Sequence, residues 1–175
     1  MELKNFITAI PDFPKPGILF RDMSPLLADN TAFKEVVRLM KEDWQEKGIT
    51  KIGAFDARGF IFASVLASEM ELPFFMLRKK GKLPGKTIAL SYGLEYGKDV
   101  IEMKIDAVNA RDHVLLVDDV LATGGTAKAG AELIESLGAR VAGLATLIEL
   151  ADLGGRNVFD RPVAALIVYG ENDGS

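Results

Sequence analysis

The feature that most constrains this chain is a run in which an apolar strand is followed by two acids, a glycine turn and a helix. Residues 114–117 are continuously apolar, which is typical of a central strand in a parallel sheet. Asp118 and Asp119 follow directly, and the turn 122–126 then leads into a helix predicted over 127–137. Ligands of open α/β sheets bind outside the carboxyl ends of the strands. The acids and the turn therefore lie where a ligand is expected.

The turn has the chemistry of an anion site. Its two glycines let backbone N–H groups approach a ligand, and the N-terminus of the following helix adds partial positive charge. Its hydroxyl groups can donate hydrogen bonds to phosphate oxygens. We therefore predict a phosphate site formed by Ala122, Thr123, Gly124, Gly125 and Thr126.

Asp118 and Asp119 would repel a phosphate that touched them, so we expect them to face something else. Ribose hydroxyls, met directly or through a hydrated Mg²⁺, suit two adjacent carboxylates. A plainer interpretation is that the acids cap the helix and the glycines only make a tight turn. The whole run from strand to helix favours the ligand site.

Strands and helices alternate along the rest of the chain. Strands are predicted over 51–55, 74–77, 140–148 and 163–168, and helices from Asp29 or Asn30 to Gly48 and over 59–70. This alternation predicts one α/β domain over 1–175, with a central, mostly parallel sheet flanked by helices. The prolines between residues 11 and 25 disfavour a helix there, and we interpret 1–28 as an arm laid across the core.

A basic segment with several glycines interrupts this pattern after the second strand. Residues 78–99 contain Arg78, Lys79 and Lys82, and long irregular segments inside a compact domain are usually functional. We predict a flexible lid loop over 78–99. For any single lysine, an ordinary solvated surface position is an equally fair interpretation.

Composition argues against several classes of partner. The formal net charge of -4 provides no general basic field for a nucleic-acid backbone. The chain has no cysteine, which excludes disulfides and fits a reducing compartment. The sequence shows no signal-peptide pattern and no apolar run of about 18 residues, the length of a membrane span. We expect a cytoplasmic protein that binds small molecules, without nucleic-acid or membrane partners, and a disordered tail over 171–175.

The run 114–126 resembles the phosphoribosyl pyrophosphate motif of the type I phosphoribosyltransferases. Within that family, the segments 13–22, 56–60, 78–85 and 94–97 resemble the adenine-specific group, in matching order. The resemblance implies the family's fold and a Mg²⁺-dependent reaction in which N9 of adenine displaces pyrophosphate from phosphoribosyl pyrophosphate, giving AMP for purine salvage. It also implies a homodimer in which Arg78 is a candidate to approach the neighbouring site.

The resemblance also implies roles for individual residues. The turn would hold the 5′-phosphate and the two acids the ribose hydroxyls, with Mg²⁺ carried by the substrate rather than by a dedicated protein cage. Glu95 and Arg58 would be catalytic, Glu95 by managing the purine proton, and Tyr96 would neighbour Glu95 in the lid. The pyrophosphate side would comprise Ala57, Arg58, Arg78, Lys79 and Lys82. The adenine pocket, under the arm as a hood, would comprise Leu19, Phe20, Arg21 and Leu150.

Two other functions stay open at this point. One is a related transferase for xanthine, hypoxanthine or orotate, which the segments 13–22 and 94–97 disfavour. The other is a non-catalytic regulator with the same fold, which the acidic charge and the presence of Arg58 disfavour. Ordinary core packing also remains a fair interpretation of Leu19 and Leu150, and the sequence does not decide whether the Ala57–Arg58 peptide is cis or trans.

Overall fold

Two sheets organise the computed structural model, which describes residues 1–93, 99–170 and 173. The short strands β1 (Thr8–Ile10) and β2 (Phe20–Asp22) pair antiparallel in the N-terminal arm. The central sheet contains β3 (Lys51–Phe55), β4 (Phe74–Lys79), β5 (Thr87–Tyr92), β6 (Asp99–Lys104), β7 (His113–Leu121), β8 (Arg140–Leu150) and β9 (Val163–Tyr169).

The central sheet has the order β5-β6-β4-β3-β7-β8-β9. Strands β4, β3, β7, β8 and β9 run parallel, whereas β6 pairs antiparallel with both β4 and β5. The predicted mostly parallel sheet is confirmed. The parallel strands end at one edge, and many of the predicted site residues lie at or just after the ends of β3, β4 and β7.

Helices cover both faces of this sheet. They are α1 (Ser24–Ala28), α2 (Asn30–Trp44), α3 (Gly59–Glu69), α4 (Gly125–Ser136) and α5 (Gly155–Phe159). The β7 side chains alternate, so that Leu115 and Val117 pack with α2 and α3, while Val114 and Leu116 pack with α4. Both faces of β7 are therefore buried, as its continuous apolar run predicts.

The long helix α2 shows how local sequence sets these elements. The Asp29 carboxylate accepts hydrogen bonds from the N–H groups of Thr31 and Ala32, which caps the helix as predicted. The helix ends at Trp44, before the predicted end at Gly48. In the part of the chain that the structure describes, neither this helix nor another is long and apolar enough to cross a bilayer.

The segment predicted as a lid, 78–99, is not a loop throughout. Strand β4 continues to Lys79, and β5 pairs with β6 along its whole length. The reason is the two-residue alternation of Ile88, Leu90 and Tyr92, which places their side chains against the α4 side of the core. Among the described residues of this segment, the longest loop is thus a shorter basic stretch, 80–86. Residues 94–98, which include Glu95 and Tyr96, lie outside the described residues.

The N-terminal arm is tied to the chain's C-terminal end. The ammonium group of Lys4 lies 3.0 Å from a carboxylate oxygen of Asp173, and the Arg21 guanidinium donates to the Asp173 carbonyl. The other Asp173 carboxylate oxygen accepts the N–H of Gly170. Asp173, within the tail 171–175 that we predict to be disordered, thus contacts both the arm and the end of the last strand.

Candidate active site

A cavity of ≈ 380 Å³ opens at the edge where the parallel strands end. Strands β3, β4 and β7 are neighbours there, so residues far apart in sequence meet. The predicted site residues in its lining are Ala57, Arg58, Arg78, Lys79, Asp118, Asp119, Ala122 and Thr126. The structure thus brings together three predicted regions: the phosphate turn, the two acids predicted to bind the sugar, and the residues predicted to bind pyrophosphate.

The phosphate turn lies at the N-terminus of α4, a helix of twelve residues. Gly124 has φ +83°, and a Cβ at this position would overlap the carbonyl oxygen of Gly155 at the start of α5. Only glycine fits there without strain. The helix starts at Gly125, two residues before the predicted start at Ala127, so the turn includes the helix's first free N–H groups.

The two acids differ in their surroundings. Asp119 is 5% exposed, whereas Asp118 is half-buried and its carboxylate accepts the Asp119 N–H at 2.9 Å. Burial raises the pKa of Asp118 well above its ordinary value, and the neighbouring charge of Asp119 raises it further. A Cβ added to Gly59 would lie 2.9 Å from the Val117 carbonyl oxygen, so this glycine lets α3 start against the end of β7.

Arg58 contacts one residue from each of two predicted groups, the ribose-binding acids and the base pocket. Its Nε lies 2.7 Å from a buried Asp119 carboxylate oxygen that has no partner in hydrogen-bond geometry, so their contact is an ion pair. Its guanidinium carbon lies 5.3 Å from the centre of the Phe20 ring, within the range of a cation–π contact. The Arg58 side chain is 45% exposed, which leaves much of its donor fork open to the cavity.

Arg78 is held on the other side of the cavity. Its Nε donates to an Asp56 carboxylate oxygen at 3.0 Å, and its Nη1 donates to the Lys82 carbonyl at 3.4 Å. Lys79 lines the cavity, whereas Lys82 has an exposed side chain and reaches the site through its carbonyl alone. The loop between β3 and α3 contains a cis peptide at Asp56–Ala57, one bond before the peptide that the sequence left open.

The predicted base-pocket residues divide into two groups. Phe20 faces Arg58, while Arg21, its neighbour in β2, points the other way and lies 3.9 Å from the Tyr169 ring centre. This division follows from the alternation of side chains in a strand. Leu150 pairs with Tyr169 across β8 and β9, and Leu19 is half-buried in the arm. None of these four lines the cavity of ≈ 380 Å³.

Residues 24–160 match the phosphoribosyl transferase domain family. The match spans most of the chain and includes the phosphate turn, both acids and Arg58. This chain belongs to the phosphoribosyltransferase family. The predicted family and fold are therefore confirmed.

Named relatives of this phosphoribosyltransferase are similar to it over nearly its whole length. An adenine phosphoribosyltransferase from Francisella philomiragia is 52% identical over 170 residues, covering 95% of this chain and 97% of the relative. The crystal structure of the adenine phosphoribosyltransferase from Rhodothermus marinus has a TM-score of 0.90 and 46% identity, covering 95% of this chain and 96% of that one. The enzyme from Saccharomyces cerevisiae, complexed with adenine and D-2,5-dideoxy-2,5-imino-altritol 1,6-bisphosphate, has a TM-score of 0.88 and 37% identity, covering 94% and 96%.

Three residues of the phosphoribosyltransferase site were not predicted. Asp56 orients Arg78, and the Tyr92 hydroxyl lies 3.0 Å from the Thr126 hydroxyl. Glu102 is 5% exposed and accepts the N–H groups of Gly81 and Leu83, which fixes the basic loop. The position of Asp56 at a strand end and the alternation that ends at Tyr92 were available signals. Glu102 had none, because its partners lie about twenty residues away in sequence.

The fit of Mg²⁺ to this phosphoribosyltransferase rests on Asp118 and Asp119. Within residues 1–93, 99–170 and 173, no three His, Asp or Glu side chains converge as a metal site. Asp118 and Asp119 supply hard carboxylate oxygens at the cavity, which is the donor chemistry that Mg²⁺ prefers. A Mg²⁺ that arrives with a diphosphate substrate fits this donor set.

Proposed function

We propose that this phosphoribosyltransferase transfers the phosphoribosyl group of phosphoribosyl pyrophosphate to N9 of adenine, giving AMP and pyrophosphate in purine salvage. The observation that carries the proposal is that one cavity joins a neutral phosphate turn, two carboxylates and two arginines. These groups match the 5′-phosphate, the ribose hydroxyls and the diphosphate of that substrate, in that order. The names of the relatives, and the adenine bound to the yeast relative, support adenine as the base.

The 5′-phosphate end would be bound by dipoles rather than by formal charge. The turn 122–126 offers N–H groups at the start of α4 and the hydroxyls of Thr123 and Thr126. The helix N-terminus contributes a favourable potential for a dianion. Asp118 and Asp119 lie on the strand before the turn, line the same cavity, and would accept the ribose hydroxyls.

The diphosphate end would be bound by side chains that carry formal charge. Arg58 and Arg78 can each present a two-pronged donor to phosphate oxygens, and Lys79 adds charge beside them. Lys82 would contribute from the exposed loop. Mg²⁺ carried by the diphosphate would neutralise charge that develops on the leaving group. Ala57 places its peptide next to Arg58 in the same loop.

The base would lie between the arm and the lid. Phe20, whose ring lies against Arg58, would contact the base from that side, and Leu19 and Leu150 would bound it with apolar surface. Arg21 would support this pocket from behind, through Tyr169. Glu95, with Tyr96 beside it, would accept the N9-side proton as the new bond forms.

Glu95→Gln tests that last role. We expect turnover to fall by about 10²- to 10³-fold, because the amide cannot accept the proton, while the affinity for phosphoribosyl pyrophosphate changes little. Steady-state kinetics and calorimetry measure the two quantities separately. Unchanged turnover would remove Glu95 from the mechanism.

We further propose that the protein is a cytoplasmic homodimer. Phe74 and Met76 are 42% and 39% exposed on the same face of β4, and Ile61 of α3, a helix that contacts β4, is 37% exposed. Large apolar side chains grouped on a central strand are typical of a contact surface. Arg78 follows on that face, which supports an approach toward a neighbouring site. A mass of 19.0 kDa by light scattering, that of one chain, would contradict the dimer.

The activity itself is tested by offering phosphoribosyl pyrophosphate and Mg²⁺ with adenine, hypoxanthine, guanine, xanthine or orotate in separate reactions. We expect AMP from adenine and little product from the other bases. Product from a different base would keep the sugar-phosphate site and overturn the base pocket. No product from any base would favour a regulator that only binds the sugar phosphate.

A further inference from the structure

We propose that Tyr92 is a positioning residue that aims the Thr126 hydroxyl at the 5′-phosphate. This inference rests on the proposed function, because it assigns a task within the same phosphate turn. Tyr92 ends β5 and lines the cavity, and its hydroxyl oxygen lies 3.0 Å from the Thr126 hydroxyl oxygen. Its ring lies against the start of α4, where a Cβ added to Gly125 would be 3.5 Å from the ring.

The direction of this hydrogen bond follows from counting protons. A threonine hydroxyl has one proton to donate and lone pairs that accept, and so does the tyrosine hydroxyl. A phosphate dianion only accepts. When Thr126 donates its proton to the phosphate, it has none left for Tyr92, so the Tyr92 hydroxyl must be the donor to Thr126. The result is a chain from Tyr92 through Thr126 to the phosphate, in which each bond polarises the next.

The position of Tyr92 does not depend on the conformation of the turn, because the two lie on different parts of the sheet. It comes from the antiparallel edge of the sheet, whereas Thr126 follows the end of β7 at the centre. A free Thr126 hydroxyl could rotate toward backbone acceptors in the first turn of α4, as threonine side chains in helices do. The Tyr92 hydroxyl opposes that rotation by requiring a lone pair of Thr126 on its own side.

The test compares AMP with adenosine, which differ only in the 5′-phosphate. In the full-length protein, we expect Tyr92→Phe to weaken AMP binding by roughly 3- to 10-fold, as the loss of one hydrogen bond does. Adenosine binding should not change, because the ring and its packing are kept. In turnover, the KM for phosphoribosyl pyrophosphate should rise while kcat stays close to its original value.

A double-mutant cycle decides whether the effect passes through Thr126. In a Thr126→Val background, Tyr92→Phe should have no further effect on AMP affinity, because Val has no hydroxyl to orient. In a Thr126→Ser background, the effect of Tyr92→Phe should persist. Equal losses in the Val and Ser backgrounds would overturn the inference, and so would an unchanged AMP affinity in Tyr92→Phe itself.

The same measurements separate this inference from the proposed function. If the unaltered protein binds AMP no more tightly than adenosine, the 5′-phosphate assignment is wrong and the inference falls with it. If the unaltered protein binds AMP more tightly than adenosine, and the Tyr92→Phe variant does so to the same degree, the phosphate site is supported and only the role of Tyr92 is overturned. Thermal unfolding of each variant checks that the fold is intact.

Discussion

The two phosphate-binding regions of the cavity are built on opposite plans. The turn 122–126 contains no formal charge and relies on glycine, hydroxyls and a helix N-terminus. The opposite side relies on Arg58 and Arg78, and each is already paired with a carboxylate, at 2.7 and 3.0 Å respectively. A ligand therefore enters the turn without displacing a partner, whereas on the other side it competes with Asp119 and Asp56.

This difference suits the two ends of the proposed substrate. The 5′-phosphate stays on the sugar throughout the reaction, so a rigid, neutral turn can hold it in substrate and product alike. The diphosphate must leave. Arginines that return to nearby carboxylates are stabilised after the leaving group has gone, which reduces the cost of release.

The largest expected effect comes from breaking the charged side. Arg58→Ala removes a donor fork aimed at the leaving group and leaves the Asp119 carboxylate without its ion pair. We expect kcat to fall by about 10²- to 10³-fold, the usual loss when one transition-state donor is removed. AMP, which lacks the diphosphate, should bind within a few-fold of its original affinity.

Arg58→Lys is the matched control for that change. It keeps the charge and loses the fork, so it should recover only part of the lost turnover. Full recovery would mean that charge alone matters at this position. A similar loss of AMP and pyrophosphate affinity in Arg58→Ala would contradict the division of the cavity into two sides.

A second, smaller effect is expected from breaking the neutral side. Gly124→Ala combines a left-handed φ of +83° with overlap on the Gly155 carbonyl oxygen. We expect a loss of about 1–3 kcal/mol in stability and at least roughly 10-fold in AMP affinity, because the turn must move. Chemical denaturation and calorimetry measure the two losses.

Gly138→Ala provides the control at the other end of α4. Gly138 has φ +87°, and its added Cβ would meet only Ala110, at 3.4 Å from the Ala110 Cβ. It should therefore lose stability from backbone strain and keep its AMP affinity. If both glycine variants lose stability but neither loses AMP affinity, the turn does not bind the phosphate.

The same contrast explains how much the sequence could predict. The turn is local: a strand, two acids, glycines and a helix start are contiguous, so their joint position follows from the pattern alone. Parallel pairing of β3 with β7 then brings Arg58 next to the acids, since both strands end at the same edge of the sheet. The helix cap at Asp29 and the bounds of β3 were equally local.

The charged side depends on contacts that no local pattern encodes. Arg78 is oriented by Asp56, 22 residues earlier, and the basic loop by Glu102 on a strand that the sequence did not predict. The lid was predicted too long because its basic residues hid the alternation of β5. Strand alternation places the Arg21 side chain on Tyr169, about 150 residues later in sequence, a contact that no local pattern encodes.

The smallest effect tests the acids between the two sides. Burial raises the pKa of Asp118, so the fold disfavours the charged form of this carboxyl relative to the unfolded chain. Above the ordinary pKa of about 4, the unfolded chain releases this proton more readily than the folded protein does. The free energy of unfolding therefore falls as pH rises from about 4 to the raised pKa of the folded protein. Asp118→Asn should therefore raise the melting temperature at pH 7 by a few degrees, about 2–4 °C per kcal/mol recovered, and bring no gain below about pH 4.

Asp112→Asn, at the opposite end of β7, should behave in the reverse way. Burial alone would raise the pKa of Asp112, but the Asn109 N–H and the Lys51 ammonium outweigh it and hold that pKa below its ordinary value. Its charge therefore stabilises the fold at pH 7, and its loss should lower the melting temperature.

Asp118→Asn should also weaken AMP binding several-fold, whereas Asp112→Asn should not. If both variants shift the melting temperature in the same direction, burial of the Asp118 charge does not explain the effect. Asp118 would then not be a residue whose carboxylate lowers stability in order to bind the sugar.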